Sequence, residues 1–128
     1  MSQKALSTNL APAAIGPYSQ AVIAGDFMYV SGQIPLDPES MEVVEGDISV
    51  QTRRVFDNLG AILSQAGKDF SNVVKAEVYL DNMDDFKTVN GIYSEYFISD
   101  PKPARQAVEV AKLPLGVLIE VSLIAYMA

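Results

Sequence analysis

Arg105 and Glu120 are an arginine and a carboxylate set inside largely apolar segments that read as strands, Ala104–Val110 and Leu118–Tyr126. An unpaired ion buried in such a segment costs on the order of several kcal/mol even after relaxation, so each side chain needs a partner. Two arrangements meet that need. Either the two charges belong to structural ion pairs, or the guanidinium lines an anion pocket and forks onto the carboxylate of a ligand.

The composition narrows what chemistry is open to these residues. The 128 residues include no histidine and no cysteine. That removes imidazole bases, thiol nucleophiles, disulfides and Cys/His zinc or haem sites, and leaves Arg, Lys, Glu, Asp, Tyr, Ser, Thr and the backbone. Nine basic against sixteen acidic residues give a net charge of −7, which opposes binding to nucleic-acid phosphates or to anionic membranes. The N-terminus lacks the apolar run of a signal peptide, and no segment reaches the roughly 18 apolar residues of a membrane span. These features point to the cytoplasm and to a single domain over residues 1–128, long enough to bury one core.

The elements that must position the two charges follow from periodicity. Ala11–Tyr18, punctuated by Pro12, Gly16 and Pro17, is a lead-in loop. Ser19–Ala24 and Phe27–Ser31 flank Gly25-Asp26 and predict a hairpin; Gly32, at the end of its second strand, permits a bulge or a close backbone approach and can equally be a plain strand terminator. Pro35–Gly46 is a polar loop. Over Ser49–Ala66 the stripe Val55, Phe56, Leu59, Ile62, Leu63 and Ala66 predicts an amphipathic helix, with Asp47 or Ser49 as its cap, Gly67 beyond its end, and Arg53, Arg54 and Asp57 on a wet face. Val73–Leu80 reads as a strand. Asn82 caps a second helix over Met83–Ile98, on or near whose apolar stripe Asn90 falls.

In the last third, alternation puts Arg105, Ala107 and Glu109 on one face of their strand, with Gln106, Val108 and Val110 on the other. In the next strand Leu118, Glu120, Ser122 and Ile124 oppose Ile119, Val121, Leu123 and Ala125. Both faces therefore carry apolar residues, while two helices can cover only one side of a sheet of about five strands. The uncovered side predicts a homo-oligomer whose subunits meet sheet to sheet, with pockets at their edges.

Four separated stretches, Gly16-Pro17-Tyr18-Ser19-Gln20-Ala21, Val30-Ser31-Gly32-Gln33-Ile34-Pro35, Asp84-Asp85-Phe86 with Val89-Asn90, and Pro103-Ala104-Arg105 followed by Ile119-Glu120, resemble the RidA/YjgF family of reactive-intermediate deaminases. The resemblance spans nearly the whole chain. It implies an α+β, chorismate-mutase-like fold, a mixed sheet with two helices on one face, assembled as a homotrimer with sites in the clefts between subunits. It further implies hydrolysis of 2-imino acids such as 2-iminobutanoate and 2-iminopropanoate to 2-keto acids and ammonia, without cofactor or metal. Carried over by motif, Arg105 would grip the substrate carboxylate and Glu120 would orient or activate the attacking water. Tyr18, Ser31, Gly32, Asn90 and Ala107 would line the pocket. Ala107 stands where some members carry a cysteine, so no essential thiol is implied, and Gln106 departs from the small residue usual after the arginine. The rival readings are a non-catalytic trimer that binds small carboxylates, a ribonuclease or translation inhibitor as ascribed to some relatives, and a chaperone-like trimer.

Overall fold

A computed structural model describes residues 2–128. Within them lie strands β1 (Gln3–Leu6), β2 (Ala21–Ala24) and β3 (Phe27–Gln33), helix α1 (Ile48–Gln65), strand β4 (Val73–Leu80), helix α2 (Phe86–Tyr96), and strands β5 (Ala104–Glu109) and β6 (Ile119–Tyr126). The strands form one mixed sheet in the order β1-β2-β3-β6-β4-β5. The hairpin β2–β3 turns at Gly25, whose φ of 61° suits a residue without a side chain. The last strand, β6, inserts between β3 and β4 and runs antiparallel to both, whereas β4 and β5 are parallel and connected through α2.

Most elements follow from their local sequence. In β4 the buried Ala76, Val78 and Leu80 alternate with Lys75, Glu77 and Tyr79, which are only partly buried. Helix α1 begins where the Asp47 carboxylate accepts the Val50 N–H at 3.1 Å, and Gly67 follows its end with φ 72°. Its apolar stripe meets α2 around Phe56, which is fully buried and stacks on Tyr96 at a centroid distance of 4.9 Å. The two helices share one core with Ala76, Val78, Val121 and Leu123 of the sheet. No helix of the described residues is long and apolar enough to cross a membrane.

Two expectations need correction. Gln3–Leu6, not anticipated as a strand, pairs antiparallel with β2 and makes the sheet six-stranded. The second helix is shorter than predicted: Asn82 does cap, accepting the Asp84 N–H, but Met83–Asp85 is a 3-10 turn, and the α-helix runs only over Phe86–Tyr96. The Glu109 carboxylate accepts the Met83 N–H at 2.8 Å and ties that turn to the end of β5.

Among the described residues, nothing covers the face of the sheet away from the helices. It presents Phe27, Tyr29, Val108 and Tyr126, all at least 37% exposed. Among them lies a polar cluster in which Glu77 accepts from the Tyr79 hydroxyl at 3.1 Å and the Gln106 amide at 3.2 Å.

Candidate functional site

Pairing register decides where the two charges point. Residues opposite each other in adjacent strands share a face, and Arg105 pairs with Ala76 while Ala107 pairs with Val78, both buried under the helices. Arg105 therefore lies on the helix side of β5, the edge strand. Its guanidinium carbon sits 4.8 Å from the Tyr93 ring centroid and 5.2 Å from that of Phe86, a cation held against aromatic faces. One nitrogen donates to Asn90 Oδ1 at 2.6 Å. No carboxylate of the described residues lies within ion-pair distance of it. The guanidinium is exposed, and a fork of five N–H donors with one committed to Asn90 keeps the rest for an incoming carboxylate. Asn90, Tyr93, Ser94, Lys102 and Arg105 bound a recess of about 360 Å³. The Tyr93 hydroxyl at its base is buried without a hydrogen-bond partner among the described residues; burial pushes its pKa up, and the Arg105 charge opposes that shift.

Glu120 lies on the other face. It pairs with Tyr79, which in turn pairs with Val108, so this row belongs to the side without helices. Glu120 is half-buried, and desolvation raises its carboxyl above the ordinary glutamate value. Beside it, β3 bulges between Val30 and Gln33, and a Cβ built on Gly32 would overlap Glu120 Oε2. Of the alternatives left open for Gly32, the strand terminator is set aside: it lies within β3 at the bulge, and the atom closest to a Cβ built there is Glu120 Oε2. Tyr18, Gly32 and Glu120 share a cavity of about 370 Å³ whose remaining wall is mostly apolar, including Ile15, Ile34, Leu36, Met41 and Leu115. A second, shallower opening on the sheet face runs from Glu120 and Gly32 to Tyr79, Lys112 and Ser122.

Three buried amide side chains hold the loops around this cavity, and sequence reasoning assigned a role to none of them. Gln20 donates to Pro12 O at 2.7 Å and accepts the Thr8 N–H at 2.7 Å, which fixes the lead-in loop. Asn58 of α1 donates to Leu36 O at 3.0 Å. Gln51, also of α1, accepts the Leu118 N–H at 2.8 Å and so fixes the start of β6 just ahead of Glu120. The available signal was a polar amide at a buried helical or loop position, which must satisfy its hydrogen bonds locally.

The predicted site residues thus divide into two groups. Arg105, Asn90 and Ala107 lie on the helix side, and Tyr18, Gly32 and Glu120 gather around the cavity on the other. Ser31 adjoins the second group, but its hydroxyl donates to Ser19 O at 2.6 Å, a contact that holds the preceding loop. Arg53, expected on a wet face, makes a bidentate pair with Glu95 at 3.0 and 3.1 Å and takes no part in either group. Among the described residues no group of three or more acidic side chains is gathered closely enough to hold a metal ion.

Comparison with known proteins gives a consistent outcome. The family model described as endoribonuclease L-PSP matches residues 8–127. A RutC family protein of Pyrococcus abyssi is 53% identical over 126 residues, covering 98% of each chain. The 2-iminobutanoate/2-iminopropanoate deaminase of Bos taurus is 49% identical over 123 residues, covering 96% of this chain and 89% of its own. Among solved structures, YyfA of Yersinia pestis, described as a protein of unknown function of the conserved Rid family, superposes with a TM-score of 0.95 at 43% identity, covering 98% of this chain and 99% of its own.

Proposed function

The chain belongs to the RidA/YjgF family, and from that premise we propose that it is a hydrolytic deaminase converting 2-imino and enamino acids, such as 2-iminobutanoate and 2-iminopropanoate, to 2-keto acids and ammonia. The observation that carries this reading, and with it the assembly, is that Arg105 and Glu120 occupy opposite faces of the sheet in one chain. They can act on one substrate only if one copy supplies the guanidinium and its neighbour the carboxylate. A homotrimer packed along the uncovered face achieves this cyclically, and the half-exposed aromatics there support burial against another copy.

In that cleft the Arg105 fork, stacked on Tyr93 and steadied by Asn90, receives the substrate carboxylate and fixes the imine carbon. Glu120 of the adjacent copy accepts a hydrogen bond from a water beside that carbon. As the C–O bond forms, the C=N electron pair moves to nitrogen and Glu120 takes the water proton. The proton then passes to the nitrogen, giving a carbinolamine. Glu120 next takes the hydroxyl proton and delivers it to the amino nitrogen as the oxygen electron pair forms the keto C=O, the C–N bond breaks with its pair going to nitrogen, and ammonia leaves. A carboxyl raised by burial is a better proton acceptor than an ordinary glutamate, which suits this role. The family description also invites a ribonuclease reading, but a net charge of −7 and the lack of histidine weigh against it.

The test is complementation. Arg105→Ala and Glu120→Gln are each expected to lose imine hydrolysis, assayed by 2-keto acid release. Co-refolding equal amounts of the two variants should restore about a quarter of wild-type activity, because random mixing leaves roughly that share of clefts with both groups intact. Activity that stays at the level of the separate variants would mean that the two residues do not meet across an interface, and a monomeric mass in solution would remove the reading.

A further inference from the structure

Two non-glycine residues among those described have positive φ, Met41 at 62° and Leu115 at 56°. Both line the Glu120 cavity. The left-handed region disfavours residues with a Cβ, and departures of this kind concentrate where function holds them. The local turns explain the backbone but not the side chains. Met41 closes a turn by donating its N–H to Asp37 O at 2.8 Å, and Leu115 is the middle of the 3-10 turn Pro114–Gly116. Glycine or asparagine would make either turn with less strain. Instead, two long apolar side chains line one cavity, and Leu115 is 73% exposed.

The placement of Glu120 between two openings says what these side chains face. On the proposed reading, on which this inference rests, the neighbouring copy covers the sheet-face opening and brings Arg105 and the substrate carboxylate from that side. The cavity, whose lining includes Ile15, Ile34, Leu36, Met41 and Leu115, is then the space left for the rest of the molecule, and Gln20 and Asn58 help to fix the loops beside it. We propose that Met41 and Leu115 are specificity-determining residues that receive the side chain of the 2-imino acid and select apolar side chains of leucine or methionine size over polar ones of the same shape.

The experiment compares leucine with asparagine, whose side chains have nearly the same shape but differ in polarity, and uses two readouts. Imines are generated in situ from L-leucine, L-asparagine and L-alanine by an L-amino-acid oxidase, and binding of 4-methyl-2-oxopentanoate and 2-oxosuccinamate is measured by calorimetry. Wild type should favour the leucine-derived imine over the asparagine-derived one by about tenfold or more in kcat/KM, with a similar ratio in affinity. Leu115→Asn and Met41→Asn keep a residue tolerant of the left-handed region and should each lower the leucine-to-alanine ratio of kcat/KM about tenfold. Turnover with a flat side-chain profile would overturn the assignment while leaving the deaminase reading intact. Selective binding that collapses in both variants, without any turnover, would uphold the assignment and overturn the deaminase reading. Equal loss on every substrate together with a fall in assembly mass would make Leu115 a subunit contact, and the proposal would fail.

Discussion

The recess at Arg105 and the cavity at Glu120 enclose nearly equal volumes, about 360 and 370 Å³, and are built on opposite plans. The first lies at a sheet edge, where an exposed cation rests on two aromatic rings and is steadied by one amide. Its charge remains available because no carboxylate among the described residues pairs with it. The second lies at a central strand, where burial rather than a charged neighbour perturbs the acid, and where a glycine leaves room for it. One half is thus kept ready by not being paired, the other by being partly dried. On the proposed function, neither makes a complete site alone.

The sharpest test of the contrast is Glu120→Gln, which should lower kcat for imine hydrolysis by about 10³-fold while 2-keto acid affinity changes only a few-fold. Equal loss of binding and turnover would make Glu120 an anchor instead. Arg105→Ala should lower kcat/KM by on the order of 10²-fold, about 3 kcal/mol, with most of the change in KM. Near-normal turnover by this variant would place the carboxylate elsewhere. Gly32→Ala should cost about tenfold in kcat and less than about 1 kcal/mol in stability, because the group displaced is the far end of a flexible side chain. A chemical-denaturation midpoint beside steady-state kinetics separates these effects.

The smallest effect concerns pH. Because burial raises the folded-state pKa of Glu120 above the ordinary glutamate value, the folded protein binds more protons than the unfolded chain between the two values. Glu120 therefore costs stability progressively as pH rises through that window. Glu120→Gln should raise Tm at neutral pH and give no gain below the ordinary glutamate range, as thermal melts across pH would reveal. Correspondingly, the acid limb of kcat/KM in the wild type should lie above 4.5.

Much of this division was legible from residue order. The alternation around Arg105 and Glu120 assigned each residue to a row of its strand, Gly67 follows the helix end as its type suggested, and the structure chose between open alternatives at the cap, Asp47 over Ser49, and at Gly32, a bulge over a terminator. What alternation could not supply was which row meets the helices. That depends on β6 entering between β3 and β4, a pairing across more than forty residues. Strand β1 was illegible for a related reason: Gln3–Leu6 carries no β-branched residue and is a strand only because β2 offers it an edge. Met41 and Leu115 gave no sign of their conformation, since the usual markers of a left-handed position are glycine and asparagine.

Placing the guanidinium and the acid on opposite sides of a sheet has a consequence for mixed assemblies. If each cleft draws on two copies, a chain defective in both groups disables both of the clefts it borders. In a mixture with sound chains, such doubly defective chains would lower the share of working clefts as the square of the sound fraction, whereas chains lacking only one of the two groups would lower it only in proportion.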